Sequence, residues 1–425
     1  MQTGTDTRVQ ELVQAAQGSM RAGRLDEAAR IWDRVLALAP GHPQALLHSG
    51  QYALMRKDLG QARLLLDRAA KADPHNPVIA LNQSFLCRTA GDAQGEVAAL
   101  ERSLAADPYF YPALLAKGAW LERMGRKRLA ARTYRDALSI LPNETPREMA
   151  AQIAHARELV RANAAELNAQ IAAQLGEIRA HHKGEAFTRF DECKDAMVEG
   201  KKIYTPQPTM LHFPRLPAIQ FYDNTEFPWL AEVEAATDKI REELVALMRE
   251  DGAQFAPYVA HPDGVPINQW AELNHSPRWN AYFLWQDGKQ LDDHCARCPQ
   301  TAAVVEAVPL ANVPGFAPAV FFSTLEPHTR IPPHTGVTNT RLIVHVPLIV
   351  PEKCGFRVGN ETREWRPGQA FIFDDTMEHE AWNESDALRV ILIFDIWNPY
   401  LTQAERELVC ALLNGVRDYY DEEDV

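Results

Sequence analysis

Pro40, Pro74, Pro108 and Pro142 fall 34 residues apart, three intervals in succession. A fixed period of this length marks one supersecondary unit repeated along the chain, and it limits the possible folds more than any other feature here. Each proline closes a similar phrase: Leu-Ala-Pro, Ala-Asp-Pro, Ala-Asp-Pro, Ile-Leu-Pro. Other positions keep the period. Gly23, Gly91 and Gly125 share one register, with Lys57 in the remaining repeat; Ala28, Ala62 and Ala130 share another, with Glu96 as the exception; Gly50 and Gly118 share a third. Small residues let the two helices of a hairpin approach closely. A proline cannot continue the hydrogen-bond ladder, so it ends the second helix. A single hairpin cannot bury its apolar face, so such units stack.

The segment resembles tetratricopeptide repeats across residues 7–142. The resemblance implies an α-solenoid with an extended surface that serves a partner protein, a substrate or a second copy of the chain. An alanine-rich helix from Pro146 to the region of Ala180 is expected to cap the stack.

After Lys183-Gly184 the texture changes. Prolines cluster at 206, 208, 214 and 217, and one helical stretch is expected from Trp229 to Met248. Short β-branched and aromatic runs follow at 317–325, 341–349, 355–358, 370–373 and 388–397, with turn signals at Gly359-Asn360 and Pro367-Gly368. This pattern predicts a double-stranded β-helix, a relative of jelly rolls and cupins. The predicted organisation is therefore repeats over 1–145, a capping or linker helix over 146–185, and the β domain over 186–425.

The β domain carries His334-Thr335-Gly336 and, further on, His379. A non-haem Fe(II) oxygenase commonly holds its metal with two histidines and a carboxylate, leaving positions open for co-substrate and oxygen. Here glycine stands where the carboxylate would be. On an extended strand residues 334 and 336 face one way, whereas Glu378 and Glu380 face away from His379. Water or chloride is the simplest third ligand. Asp374 or Asp375, in a turn upstream, and His328, in a turn six residues before His334, are the alternatives within the chain. Arg389 sits in the apolar strand Leu388-Arg-Val-Ile-Leu-Ile-Phe and needs an anionic partner. That partner is either a carboxylate of a co-substrate, which arginine binds bidentately, or an internal one such as Asp374. Trp365 and Trp382 either line the pocket or belong to the core.

Three stretches carry a family likeness: Pro333-His-Thr-Gly-Val-Thr-Asn-Thr-Arg-Leu-Ile-Val-His345, Gly368-Gln-Ala-Phe-Ile-Phe-Asp-Asp-Thr-Met-Glu-His-Glu380 and Leu388-Arg-Val-Ile-Leu-Ile-Phe-Asp-Ile-Trp-Asn-Pro399. Together with Phe221-Tyr-Asp and Phe227-Pro-Trp-Leu they resemble the aspartyl/asparaginyl β-hydroxylase family over residues 190–405. The resemblance implies a hydroxylase that uses Fe(II), 2-oxoglutarate and O2 and lacks the carboxylate ligand. Carried onto this sequence, it makes His334 and His379 the metal ligands. Arg389 and Ser323 hold the distal carboxylate of 2-oxoglutarate, His345 lies near the other carboxylate, and Arg341 faces the substrate. The departure is Ile343, where members of the family often carry an arginine that binds carboxylate. Lys353 and Arg357 are candidates to supply that charge from elsewhere.

The expected substrate is an amino-acid side chain, Asp/Asn-like or other, in a protein recruited by the repeats. A free or carrier-bound amino acid or a lipid acyl chain is the alternative within the family. An iron halogenase, with chloride in the vacated position, and a non-catalytic scaffold are the readings outside it. The net charge of −13 argues against a nucleic-acid backbone as main partner. The run Asp421-Glu-Glu-Asp424 reads as a frayed acidic end. No apolar run reaches the ~18 residues of a membrane span and no cationic apolar leader opens the chain, which leads to the expectation of a cytoplasmic protein. Cys295-Ala-Arg-Cys298 is a lone C-x-x-C without a second pair, read as two reduced thiols ahead of a helix at Thr301–Ala307.

Overall fold

The computed structural model describes residues 2–250 and 255–421, the acidic residues 422–424 lying outside them. It divides into two compact units, Met1–Gly200 and Lys201–Val425.

The first unit is a run of helical hairpins: α1 (Gln2–Arg21) with α2 (Leu25–Leu38), α3 (Pro43–Met55) with α4 (Leu59–Ala72), α5 (Pro77–Thr89) with α6 (Ala93–Ala106), and α7 (Tyr111–Arg123) with α8 (Lys127–Ser139). The periodic prolines follow the second helix of each hairpin, as expected. A further proline starts α3 and α5 and lies in the first turn of α7, where its missing N–H costs nothing.

The glycine registers do two different jobs. Gly23, Gly91 and Gly125 have φ of 73°, 75° and 72°, and Lys57 adopts 63° in the same place. Each lets the next amide reach back to the helix just ended: Arg24, Asp58, Asp92 and Arg126 N–H donate to the carbonyls of Ser19, Ala53, Cys87 and Leu121, each at 2.9 Å. The third register is about space. A Cβ on Gly50 would stand 2.9 Å from Leu66 Cγ, and one on Gly118 would run into the Tyr134 ring. Ala28, Ala62 and Ala130 are buried between helices. Glu96, the exception, is buried as well and keeps its charge paired with Arg123 at 2.5 Å.

After a short 3-10 turn at Arg147–Met149, helix α9 (Ala150–His181) packs Ile153 and Ala156 against the last hairpin, closing the stack. Helix α10 (Thr188–Glu199) also falls in this unit, although the β domain is expected to begin at residue 186.

In the second unit a 3-10 turn at Asn224–Glu226 is followed by two helices, α11 (Leu230–Ala235) and α12 (Thr237–Glu250), where one is expected from the sequence. Two sheets follow. The larger runs in the order β1 (Ala256–Pro257), β2 (Trp279–Gln286), β4 (Val320–Leu325), β11 (Arg389–Trp397), β6 (Arg341–Ile349), β9 (Phe371–Phe373), with β3 (Lys289–Gln290) beside β2. The smaller runs β5 (Thr329–His334), β10 (His379–Asn383), β7 (Cys354–Val358), β8 (Glu361–Arg363). Between β3 and β4 lie α13 (Asp292–Arg297) and α14 (Pro299–Glu306), and α15 (Gln403–Asp421) ends the described chain.

Strand parity sorts the large sheet. Leu342, Val344, Val346 and Leu348 of β6 and Val390, Leu392, Phe394 and Ile396 of β11 face a core shared with α11, α12 and α14. The intervening residues Arg341, Ile343, His345, Arg389, Ile391, Ile393 and Asp395 face the smaller sheet and line a cavity. Each fully buried aliphatic on the helical side contributes about 1.5–3 kcal/mol, so the polar residues opposite are carried on a firmly held frame. Among the described residues no helix is long and apolar enough to cross a membrane.

Candidate active site

His334 ends β5 and His379 begins β10, and the two are direct partners across the antiparallel pair. Their rings lie 4.0 Å apart between centroids. Each Nδ1 is engaged with a backbone carbonyl two residues back: His334 with Pro332 O at 2.8 Å, His379 with Met377 O at 2.9 Å. A carbonyl can only accept, so both Nδ1 atoms carry the proton and both Nε2 atoms keep a lone pair. Burial lowers the affinity of both rings for a second proton, and for His379 the neighbouring His334 adds to the effect. Two neutral imidazoles with free Nε2 atoms on facing strands suit a divalent transition metal. Among the described residues no third His, Cys, Asp or Glu joins them in a metal-holding cluster.

Gly336 shows where the usual carboxylate has gone. Its N–H donates to the Asp375 carbonyl at 2.6 Å, and a Cβ at 336 would collide with the Asp375 carboxylate. Asp375 Oδ1 is buried without a partner, and burial pushes the carboxyl up to about 7 against the opposing pull of Arg341. Asp374 is spent on Thr376, accepting from its N–H at 2.9 Å and its hydroxyl at 2.6 Å. His328 lies apart, exposed and paired with Asp386. Glu378 and Glu380 point outward to Arg357, as strand parity requires.

Arg389 is 1% exposed, and among the described residues no carboxylate pairs with it. Its Nη1 donates to Ser323 O at 3.2 Å and Ser323 Oγ at 3.4 Å, its Nε has no partner, and the guanidinium lies 4.9 Å from the Trp365 ring centre. Burial depresses it to about 9, so it remains a cation at neutral pH. Asp374 is therefore not its counter-ion. Ser323 Oγ also accepts from Trp279 Nε1 at 3.1 Å, which leaves the hydroxyl proton for a further acceptor. His345 is buried, receives Trp365 Nε1 at 3.3 Å, and is kept neutral by burial and by Arg389.

Over residues 234–399 the chain matches the family model described as aspartyl/asparaginyl beta-hydroxylase, and over 13–77 a tetratricopeptide-repeat model. The chain carries an aspartyl/asparaginyl β-hydroxylase domain behind tetratricopeptide repeats. The mouse aspartyl/asparaginyl beta-hydroxylase is 34% identical over 168 residues, 39% of this chain and 22% of that protein; the human one is 34% identical over 175 residues, 41% and 21%. An ornithine lipid ester-linked acyl 2-hydroxylase of Rhizobium tropici is 36% identical over 197 residues, 45% of this chain and 65% of that protein. The matched stretch thus spans about a fifth of the two mammalian proteins. Among solved structures, a thermophilic tetratricopeptide-repeat protein of Thermus thermophilus matches 40% of this chain and 90% of its own at 20% identity, with a TM-score of 0.32.

In the hydroxylase domain His334, His379, Ser323, His345, Arg341 and Arg389 all line one cavity of about 380 Å³. Trp365 lines it too, whereas Trp382 lies outside, under Arg330. Arg341 is not free: its Nη1 meets Asp395 Oδ2 at 2.5 Å. Neither Lys353, on an exposed turn, nor Arg357 lines the cavity. Cys295 on α13 and Cys298 just before α14 are buried and not joined in a disulfide. Sequence reasoning missed one wall, made by Tyr258, Trp270 and Trp279, because β2 lies ahead of the first run recognised as a strand. Its pattern Trp-Asn-Ala-Tyr-Phe-Leu-Trp was the available signal.

Proposed function

We propose that the hydroxylase domain is an Fe(II)- and 2-oxoglutarate-dependent oxygenase that hydroxylates a C–H bond of an amino-acid side chain, in a substrate recruited by the repeats. The observation that carries this reading is the histidine pair with both Nδ1 atoms engaged and both Nε2 atoms free, in one cavity with a buried arginine that has no counter-ion. His334 and His379 would hold the metal through Nε2. Arg389 would take the distal carboxylate of the keto acid, and Ser323 would donate its remaining proton to it, fixed in that direction by Trp279. His345 stays neutral and accepts from Trp365, so it adds no charge beside the metal. When bound, iron supplies oxygen activation and 2-oxoglutarate the electrons for it. The aromatic wall of Tyr258, Trp270 and Trp279 limits water on one side, Trp270 lying 4.9 Å from the His334 ring.

The halogenase reading is disfavoured because the family model that the domain matches is that of a hydroxylase. A free or carrier-bound amino acid or an acyl chain remains the alternative substrate, the last supported by the name of the Rhizobium relative. The deciding experiment supplies the full chain with Fe(II), ascorbate and 2-oxoglutarate and measures succinate. Wild-type protein is expected to form succinate without a prime substrate, and His334→Ala to lose it. Equal succinate from both proteins, with iron bound to the wild type, returns the domain to a scaffold.

A further inference from the structure

The cavity holds two guanidinium groups among its described lining residues, Arg341 and Arg389, and they are in opposite situations. Arg389 has no carboxylate partner, so it can accept one anion. Arg341 faces two carboxylates. Asp395 is 1% exposed, meets Arg341 at 2.5 Å and is itself anchored by the Ala319 N–H at 2.6 Å. Asp375 lines the same cavity and faces the same guanidinium. Arg341 thus already has its charge engaged by carboxylates of the chain itself.

Between Arg341 and His345, on the same face of β6, stands Ile343. Its strand partners are Phe373 on β9 and Asp395 on β11. The wall around it is apolar: Ile331, Ile391 and Ile393 line the cavity, and Tyr258 stacks on Trp279 and Phe321 at 4.3 and 5.2 Å. An anionic group pushed into this end would be desolvated against isoleucine, beside a guanidinium already paired with Asp395.

We propose that the substrate presents an uncharged aliphatic group to this cavity, and that Ile343 is the residue that sets the preference against a carboxylate. This deepens the hydroxylase reading by naming the chemical class its site accepts, and it rests on that reading for the word substrate alone. The cavity's choice of ligand can be measured without turnover.

The test uses a matched pair of probes, N-hexanoyl-glycinamide and N-adipoyl-glycinamide, which share a six-carbon chain and differ in ending on a methyl or a carboxylate. Binding to the full chain is read from the fluorescence of Trp270 and Trp279. It is measured with Zn(II) and excess 2-oxoglutarate, and repeated in Arg389→Met, where no unpaired guanidinium remains in the cavity. The second background reads the Ile343 end whether or not the keto acid binds, so a failure of the oxygenase reading does not mask the result. The methyl-ended probe is expected to bind at least about tenfold tighter in both backgrounds. Ile343→Arg is expected to reverse the order, raising adipoyl affinity by about tenfold. Equal or tighter binding of the adipoyl probe in wild type and in Arg389→Met overturns the proposal, as does a cavity that takes neither probe. The wild-type comparison stands by itself if Ile343→Arg fails to fold.

Discussion

The two units of this chain put their polar groups to opposite uses. In the repeats, buried polarity is mostly met within the stack, Ser49 Oγ being an exception: Glu96 meets Arg123, Ser84 donates to Leu81 O at 2.6 Å and Ser103 to Pro77 O at 2.7 Å, while the exposed Asp58 and Asp92 cap the helices that follow them. In the hydroxylase domain, buried polarity is left open at the cavity. Arg389 Nε and Asp375 Oδ1 have no partner, and two histidines keep free nitrogens. Unmet buried polar groups cost free energy unless something completes them. The difference teaches where each unit spends its sequence. The repeats use theirs on folding, and the hydroxylase domain gives up part of its stability to keep a site ready for ligands.

Replacing Arg389 is the sharpest way to break that contrast and carries the largest expected effect. Arg389→Met keeps length and apolar volume while removing a buried charge that no carboxylate neutralises. Succinate formation at moderate 2-oxoglutarate is expected to fall by about 100-fold or more, since truncating one partner of a desolvated charge pair costs about 2–5 kcal/mol. Stability without ligands is expected to stay level or rise by about 1–3 kcal/mol, because a hydrophobic replacement no longer pays for a desolvated ion. Turnover against 2-oxoglutarate concentration, with urea denaturation of the same preparation, checks both halves. A variant that loses turnover and also unfolds easily would make Arg389 a structural residue and dissolve the contrast.

The units also differ in how plainly they could be read from sequence. The hairpins were legible because their contacts are short in sequence: one period fixes the turn, the close approach and the proline after the second helix. What was misjudged there was cause. The glycines at 23, 91 and 125 serve a left-handed turn, and only Gly50 and Gly118 serve helix approach. In the hydroxylase domain, Arg341 and His345 were named through the family resemblance rather than by any local pattern, and with Arg389 they stand on the cavity-facing parity of β6 and β11. The two histidine-bearing strands escaped recognition because their composition argues against strands. Thr-Arg-Ile-Pro-Pro-His can be an edge strand only, as it is in β5, and His-Glu-Ala-Trp-Asn in β10 gains its pairing from neighbours on both sides. The Arg341–Asp395 pair spans 54 residues of sequence, and no local pattern announces it.

Gly118→Ala tests the other side of the comparison at a smaller scale. The added methyl meets the ring of Tyr134, which is fully buried and donates to Glu122 at 2.6 Å, so the ring has little room to retreat. Overpacking of this kind costs about 1–3 kcal/mol. The expected outcome is an earlier urea transition in far-ultraviolet circular dichroism with succinate formation unchanged per folded molecule. Loss of both together would mean that the repeats support the site as well as themselves.

The smallest effect comes from the one repeat that breaks the glycine register. Lys57 holds a left-handed φ of 63° where Gly23, Gly91 and Gly125 hold nearly the same turn without a Cβ. The cost to an L side chain there is about 1–2 kcal/mol, and the entropy glycine loses on folding returns about 0.5–1 kcal/mol of it. Lys57 is exposed, so its side chain offers little packing in compensation. Lys57→Gly should therefore stabilise the first unit by about 0.5–1 kcal/mol, seen as a later urea midpoint with unchanged slope, and Gly91→Lys should cost a similar amount. The Asp58 N–H bond to Ala53 O at 2.9 Å matches its counterparts in the other three turns, so the geometry gains nothing from lysine. A destabilised Lys57→Gly would show that the lysine contributes an interaction of its own at this turn, and the turn of the second hairpin would have to be counted with the functional surface of the repeats rather than with their folding.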